Sequence, residues 1–192
     1  MRKVFYVNGY GVPKDVFADG NYVRYLQRVL AWAETAAAPV DVYFAGGATD
    51  PAQPDKTEAG EMERLARSML HERCRDLVAF HCVTEATDLL GNVRAFARVL
   101  PPDAGITMFC EYARQDRVRF LAGRYFPGCT VVPVAFDERM GNPTVARLRE
   151  LPNSALIIGG WISPLFKRWV TDPLRARHMR RDSARRHARP SP

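Results

Sequence analysis

Four short stretches of the chain carry side chains that can recognise a polar ligand. They are Asn8-Gly9-Tyr10-Gly11, Gly46-Gly47 with Thr57-Glu58 downstream, Glu85 to Asn92, and Glu111 to Arg117. Glycines in such positions let the backbone turn sharply and approach another group closely. The first stretch is not a dinucleotide fingerprint, because Lys14 stands where G-x-G-x-x-G needs its third glycine, and no G-x-x-x-x-G-K-[ST] loop is present. It reads as either a plain turn or a ligand loop of another kind.

Glu58 opens a helical pattern. A carboxylate there is favoured by the helix dipole alone; it can equally accept hydrogen bonds from ribose or sugar hydroxyls. Glu85 and Asp88 are candidate polar pocket groups, and Asp88 also fits a helix N-cap. Asn92 follows Asp88 by one helical turn and shares its face. Glu111 closes a strand-like run, and Arg114 and Arg117 stand at a helix start, where cations oppose the dipole unless an anion is near. That marks Arg117 as a candidate anion contact, with a solvated charge as the alternative.

Nucleophilic and metal chemistry find little support. There is no G-x-S-x-G elbow and no C-x-x-C pair. Cys74, Cys82, Cys110 and Cys129 stand alone and read as buried reduced thiols, and His71, His81, His178 and His187 are scattered. No metal is expected.

The elements that must position these groups alternate. Strand-like runs are Lys3 to Asn8, Val40 to Ala45, Leu77 to Val83, Ile106 to Cys110 and Thr130 to Phe136. Between them, Tyr22 to Ala33, Ala59 to Met69 after a Thr57 cap, Leu89 to Leu100, and Val118 to Tyr125 show helical spacing. Five strands alternating with four helices predict an α/β, Rossmann-like three-layer sandwich with a mostly parallel five-stranded sheet. Ligands of such sheets bind beyond the carboxyl ends of the strands. All four stretches fall there.

The chain has 192 residues, 47% of them hydrophobic and 26% charged, enough for a packed core without disulfides or metals. The expected organisation is one α/β domain over 1–171, with a core at 3–137 and an extension at 138–171, followed by a basic, disordered tail at 172–192. Pro143 to Leu151 reads as a short helix. Ser154 to Val170 is apolar but broken by Gly159-Gly160 and Pro164, and it reads as packing against the domain, with an interfacial or partner-binding segment as the alternative. The formal charge of +7 is concentrated at the end, where Arg175, Arg177, Arg180, Arg181, Arg185, Arg186 and Arg189 face only Asp172 and Asp182. The N-terminal apolar run is short for a signal peptide, and no run reaches the roughly 18 apolar residues of a membrane span. A cytoplasmic protein is expected.

In order and spacing these residues resemble the YdcF-like family over roughly Lys3 to Asp137. The likeness rests on Val7-Asn8-Gly9-Tyr10-Gly11, on Gly46-Gly47 followed by Thr57-Glu58-Ala59, on Glu85 with Asn92, and on Arg117. Asp88, Leu89 and Gly91 depart from the family's Asn, Thr and Glu, and Arg114 stands where a His is common. The resemblance implies a Rossmann-like bacterial domain, of the type without a membrane anchor, associated with nucleoside-type ligands such as S-adenosylmethionine. The ligand-binding residues expected on both grounds are Asn8, Gly9, Gly11, Gly46, Gly47, Thr57, Glu58, Glu85, Asp88, Asn92, Glu111 and Arg117. With no dinucleotide fingerprint, an enzyme of this kind would be a transferase or hydrolase rather than an oxidoreductase. The competing expectation is a non-enzymatic protein that docks on an anionic membrane or nucleic acid through its Arg-rich tail and the Trp161/Trp169 segment.

Overall fold

The computed structural model describes residues 3–36, 38–100, 104–135 and 143–163. Five strands, β1 (Lys3–Asn8), β2 (Val40–Ala45), β3 (Val78–Val83), β4 (Gly105–Glu111) and β5 (Thr130–Val134), form one sheet of order β3-β2-β1-β4-β5. Every pairing is parallel. The helices are α1 (Gly20–Glu34), α2 (Glu58–Met69), α3 (Leu89–Val99), α4 (Gln115–Tyr125) and α5 (Pro143–Ile162). The expected α/β architecture is therefore present, and its sheet is parallel throughout.

Alternation along the strands explains the layers. Phe5, Val7, Val42 and Phe44 point to one face and pack with Tyr22, Tyr25, Leu26, Met62 and Leu65 of α1 and α2. Val4, Tyr6, Tyr43 and Met108 point to the other and meet Leu90, Val93 and Phe96 of α3 with Val118 and Leu121 of α4. Strands covered on both faces need apolar side chains at successive positions. Burying each large side chain is worth about 1.5–3 kcal/mol.

The helix starts are capped as their sequences allow. Asp19 accepts from the amides of Asn21 and Tyr22, at 2.9 and 3.1 Å. Thr57 and Asp88 each accept from the amide three residues on, at 3.0 Å. From β1 the chain winds outward through β2 to β3, then crosses back to β4 on the other side of β1. This reversal opens a crevice at the carboxyl ends of β1 and β4.

The C-terminal reading needs correction. Instead of a short helix ending near Leu151, α5 runs 20 residues through Pro152 and Gly159-Gly160. Pro152 removes one helical hydrogen bond, which bends a helix without having to end it. Arg147 of α5 binds the Asp116 carboxylate through Nε at 2.6 Å and Nη2 at 2.7 Å, and Glu150 pairs with Arg117 at 3.1 Å. These two ties hold α5 against α4. The tail at 172–192 lies outside the described residues. No described helix is long and apolar enough to cross a membrane.

Candidate functional site

A cleft of about 80 Å³ occupies the β1/β4 crevice, on the face covered by α3 and α4. Asn8, Gly9 and Tyr10 line it from β1 and its loop, Glu58 from α2, and Thr87, Asp88, Leu89 and Asn92 from the start of α3. Cys110, Glu111, Arg114 and Val118 close the β4 side. Six of the twelve expected ligand residues thus meet here: Asn8, Gly9, Glu58, Asp88, Asn92 and Glu111.

Two of them hold buried polar atoms without partners. Asn8 is 6% exposed, and neither its Nδ2 nor its Oδ1 has a hydrogen bond; Asn92 is 5% exposed and its Oδ1 is also unpaired. Leaving such a group unpaired costs about 1–3 kcal/mol. Both line one cleft, where a buried polar group without a partner calls for an explanation.

Glu58 enters the cleft along a path that two glycines leave open. A Cβ on Gly9 would overlap Glu58 Oε2, and a Cβ on Gly46 would lie 2.6 Å from the Glu58 Cβ. Gly46 also has φ of +153°, which an L side chain rarely adopts. Glu58 Oε1 accepts a hydrogen bond of 2.7 Å from the Thr49 hydroxyl, which fixes the carboxylate. Its backbone amide donates to Gly47 O at 3.1 Å.

Arg114 supplies the guanidinium. Its Nε lies 3.0 Å from Glu111 Oε2, an ion pair without hydrogen-bond alignment, and Nη1 reaches Gly9 O at 3.4 Å. The guanidinium carbon sits 5.5 Å from the Tyr10 ring centre, within cation–π range. Burial pulls its pKa down, but the carboxylates of Glu111, Glu150 and Glu58 outweigh that and leave it above the ordinary value. The Tyr22 hydroxyl braces the loop, accepting from the Tyr10 amide at 2.9 Å and donating to Gly11 O at 2.8 Å.

Six expected residues fall outside this lining. Arg117 pairs with Glu150 of α5, so it serves the helix packing, and Arg114 takes the cleft position in its place. Glu85 is exposed and faces Arg98 at 3.4 Å, on the surface. Thr57 spends its hydroxyl capping α2. Gly46 and Gly47 make room for the protein itself: for Glu58 in the first case, and for the backbone of Thr84 and Ala86 in the second. Gly11, at φ of +115°, shapes the loop held by Tyr22. Tyr10, Thr87, Leu89, Cys110, Arg114 and Val118 were not foreseen as lining; only Tyr10 and Arg114 carried a signal, as an aromatic between glycines and a cation at a helix start.

The chemistry available is limited in kind. Three carboxyl groups and one guanidinium face the cleft. The Cys110 thiol is pushed up to about 12 by burial, so it is a neutral wall rather than a nucleophile. No histidine lines the cleft. Among the described residues no group of three or more His, Cys, Asp or Glu is placed to hold a metal. All four cysteines are free, although Cys82 is exposed instead of buried. No family model matches the chain, and neither the curated proteins nor the solved structures compared with it gave a match.

Proposed function

We propose that this Rossmann-like protein binds a small polar ligand of nucleoside type in the β1/β4 cleft, through Asn8, Glu58, Asn92, Glu111 and Arg114. The unpaired buried amide of Asn8 and the unpaired Oδ1 of Asn92 carry the reading. Their donors and acceptors suit the hydroxyls and ring nitrogens of a nucleoside. The cleft's size and charge narrow the choice. About 80 Å³ takes a polar end group, whereas whole drug-sized ligands fill about 300–1,000 Å³, so the rest of the ligand lies across the mouth. The surplus of carboxyl groups disfavours phosphates and favours an ammonium or sulfonium with hydroxyls beside it. S-adenosylmethionine carries all of these, with a carboxylate for Arg114, and the YdcF-like resemblance implies the same class. If the bound ligand reacts, the carboxyl groups of Glu58, Asp88 and Glu111 are the candidate proton-transfer groups of the cleft, which suits group transfer or hydrolysis rather than hydride transfer.

A thermal-shift panel tests this reading, comparing S-adenosylmethionine and S-adenosylhomocysteine with ATP, NAD and a nucleotide sugar. Ligand at a hundredfold above its dissociation constant adds about 2.7 kcal/mol, a rise of roughly 5–10 °C for a chain of this size. Adenosyl compounds are expected to give that rise and triphosphates none. Stabilisation by none of these compounds, or by the phosphates alone, refutes the assignment.

A further inference from the structure

The first half of α5 turns large apolar side chains to solvent, and this is independent of what fills the cleft. On one side of α5, Arg147 binds Asp116, Glu150 pairs with Arg117, and Ser154 is buried and donates to Glu150 O at 3.0 Å. On the other side Thr144 and three large apolar residues are exposed. Val145, Leu148 and Leu151 are 42%, 58% and 48% exposed, and Pro152 and Ala155 are exposed on the same side. A surface helix that packs only on its own domain shows the reverse, with its apolar stripe inward. Three large apolar side chains on consecutive turns of one helix form a patch of the kind that marks an interaction surface.

The sequence that follows states the chemistry of the partner. After residue 166 there are nine Lys and Arg against Asp172 and Asp182, which equals the whole formal charge of +7, so residues 1–166 sum to zero. Trp161 and Trp169 flank the start of this segment. An exposed apolar helix face, with tryptophans and a basic cluster next in the sequence, suits contact with the surface of an anionic membrane. Tryptophan as a residue type favours the headgroup level, and cations are drawn to the anionic surface potential. Nucleic acid would account for the arginines and leave the leucines without a role.

We propose that the outer face of α5 and the basic segment after it dock this protein on an anionic lipid surface. The test is co-sedimentation of the full chain with phosphatidylcholine vesicles, with and without phosphatidylserine. Binding is expected only with phosphatidylserine, and it should weaken as salt shortens the Debye length. The pair Leu148→Asp and Leu151→Asp should lower affinity about tenfold or more. Leu77→Asp, at a site 47% exposed elsewhere, should leave it unchanged. Replacing Arg175, Arg177, Arg180 and Arg181 with Ser should also release the protein. Four results would overturn the proposal: no binding to phosphatidylserine vesicles, binding that ignores the leucine pair, duplex DNA bound in place of vesicles, or a dimer that the leucine pair dissolves.

Discussion

Glu58 fills the space that a side chain on Gly9 would need. The contact joins the loop after β1 to the first turn of α2, and it carries a carboxylate to the edge of the cleft beside the unpaired atoms of Asn8 and Asn92. Gly9 and Gly46 are therefore shaped for the protein's own carboxylate, and any ligand there meets Glu58 rather than bare backbone.

The relationship can be measured. Gly9→Ala should destabilise the fold by about 1–3 kcal/mol through overpacking, lowering Tm by several degrees. Combining it with Glu58→Ala removes the nearest clash but not the one with Ala45 O at 2.8 Å. The double variant should thus cost less than the sum of the singles, with a coupling above about 0.5 kcal/mol in denaturant unfolding. Additive costs would mean that the two groups do not share this space.

Asn8 offers a prediction of opposite sign. With Nδ2 and Oδ1 both buried and unpaired, Asn8→Leu removes an unsatisfied group and adds apolar contact beside an open cleft. The unliganded protein should gain about 1 kcal/mol while ligand binding is lost, the usual exchange of stability for function at a site. Urea unfolding of the two proteins decides this. A destabilised Asn8→Leu protein would show that the amide already has its partners.

The attachment of α5 should depend on acid. Hydrogen bonds from Arg147 hold the Asp116 carboxyl below its ordinary value. A carboxyl with a lowered folded pKa stabilises the folded contact above its unfolded value of about 3.9, and that contribution disappears as pH falls through the folded value. Hydrogen-exchange protection of α5 amides, corrected for intrinsic rates, should therefore be constant from pH 7 to about 5 and drop below about 4. Asp116→Asn should show the reduced protection at neutral pH. Equal protection in both proteins would mean that the pair does not hold the helix.

Much of this was legible because the signals were local. The five strands, the caps at Thr57 and Asp88, and the strand-following positions of Asn8, Glu58, Asn92 and Glu111 follow from periodicity and from the rule that parallel sheets bind at their carboxyl ends. Arg114 and Arg117 were exchanged for a geometric reason. A 3-10 turn over Tyr112–Arg114 precedes α4, and it sends Arg114 into the cleft and Arg117 toward α5. Nothing in residue types announces that turn. The length of α5 was hidden by Pro152 and the paired glycines, which read as breaks when no packing partner is in view. Its outward apolar face was hidden too, since the partners of Arg147 and Glu150 lie about 30 residues away in the chain.

The central claim is that a nucleoside-type ligand completes the buried amides, and side-chain amide NMR tests it most directly. In a 15N–1H spectrum titrated with S-adenosylmethionine, the NH2 signals of Asn8 and Asn92 should shift with one saturable midpoint. The Gly9 and Gly46 backbone amides should move with them, and Asn8→Leu should abolish the effect. Saturable shifts that leave both asparagine side chains unmoved, or no shifts at all, would contradict the account.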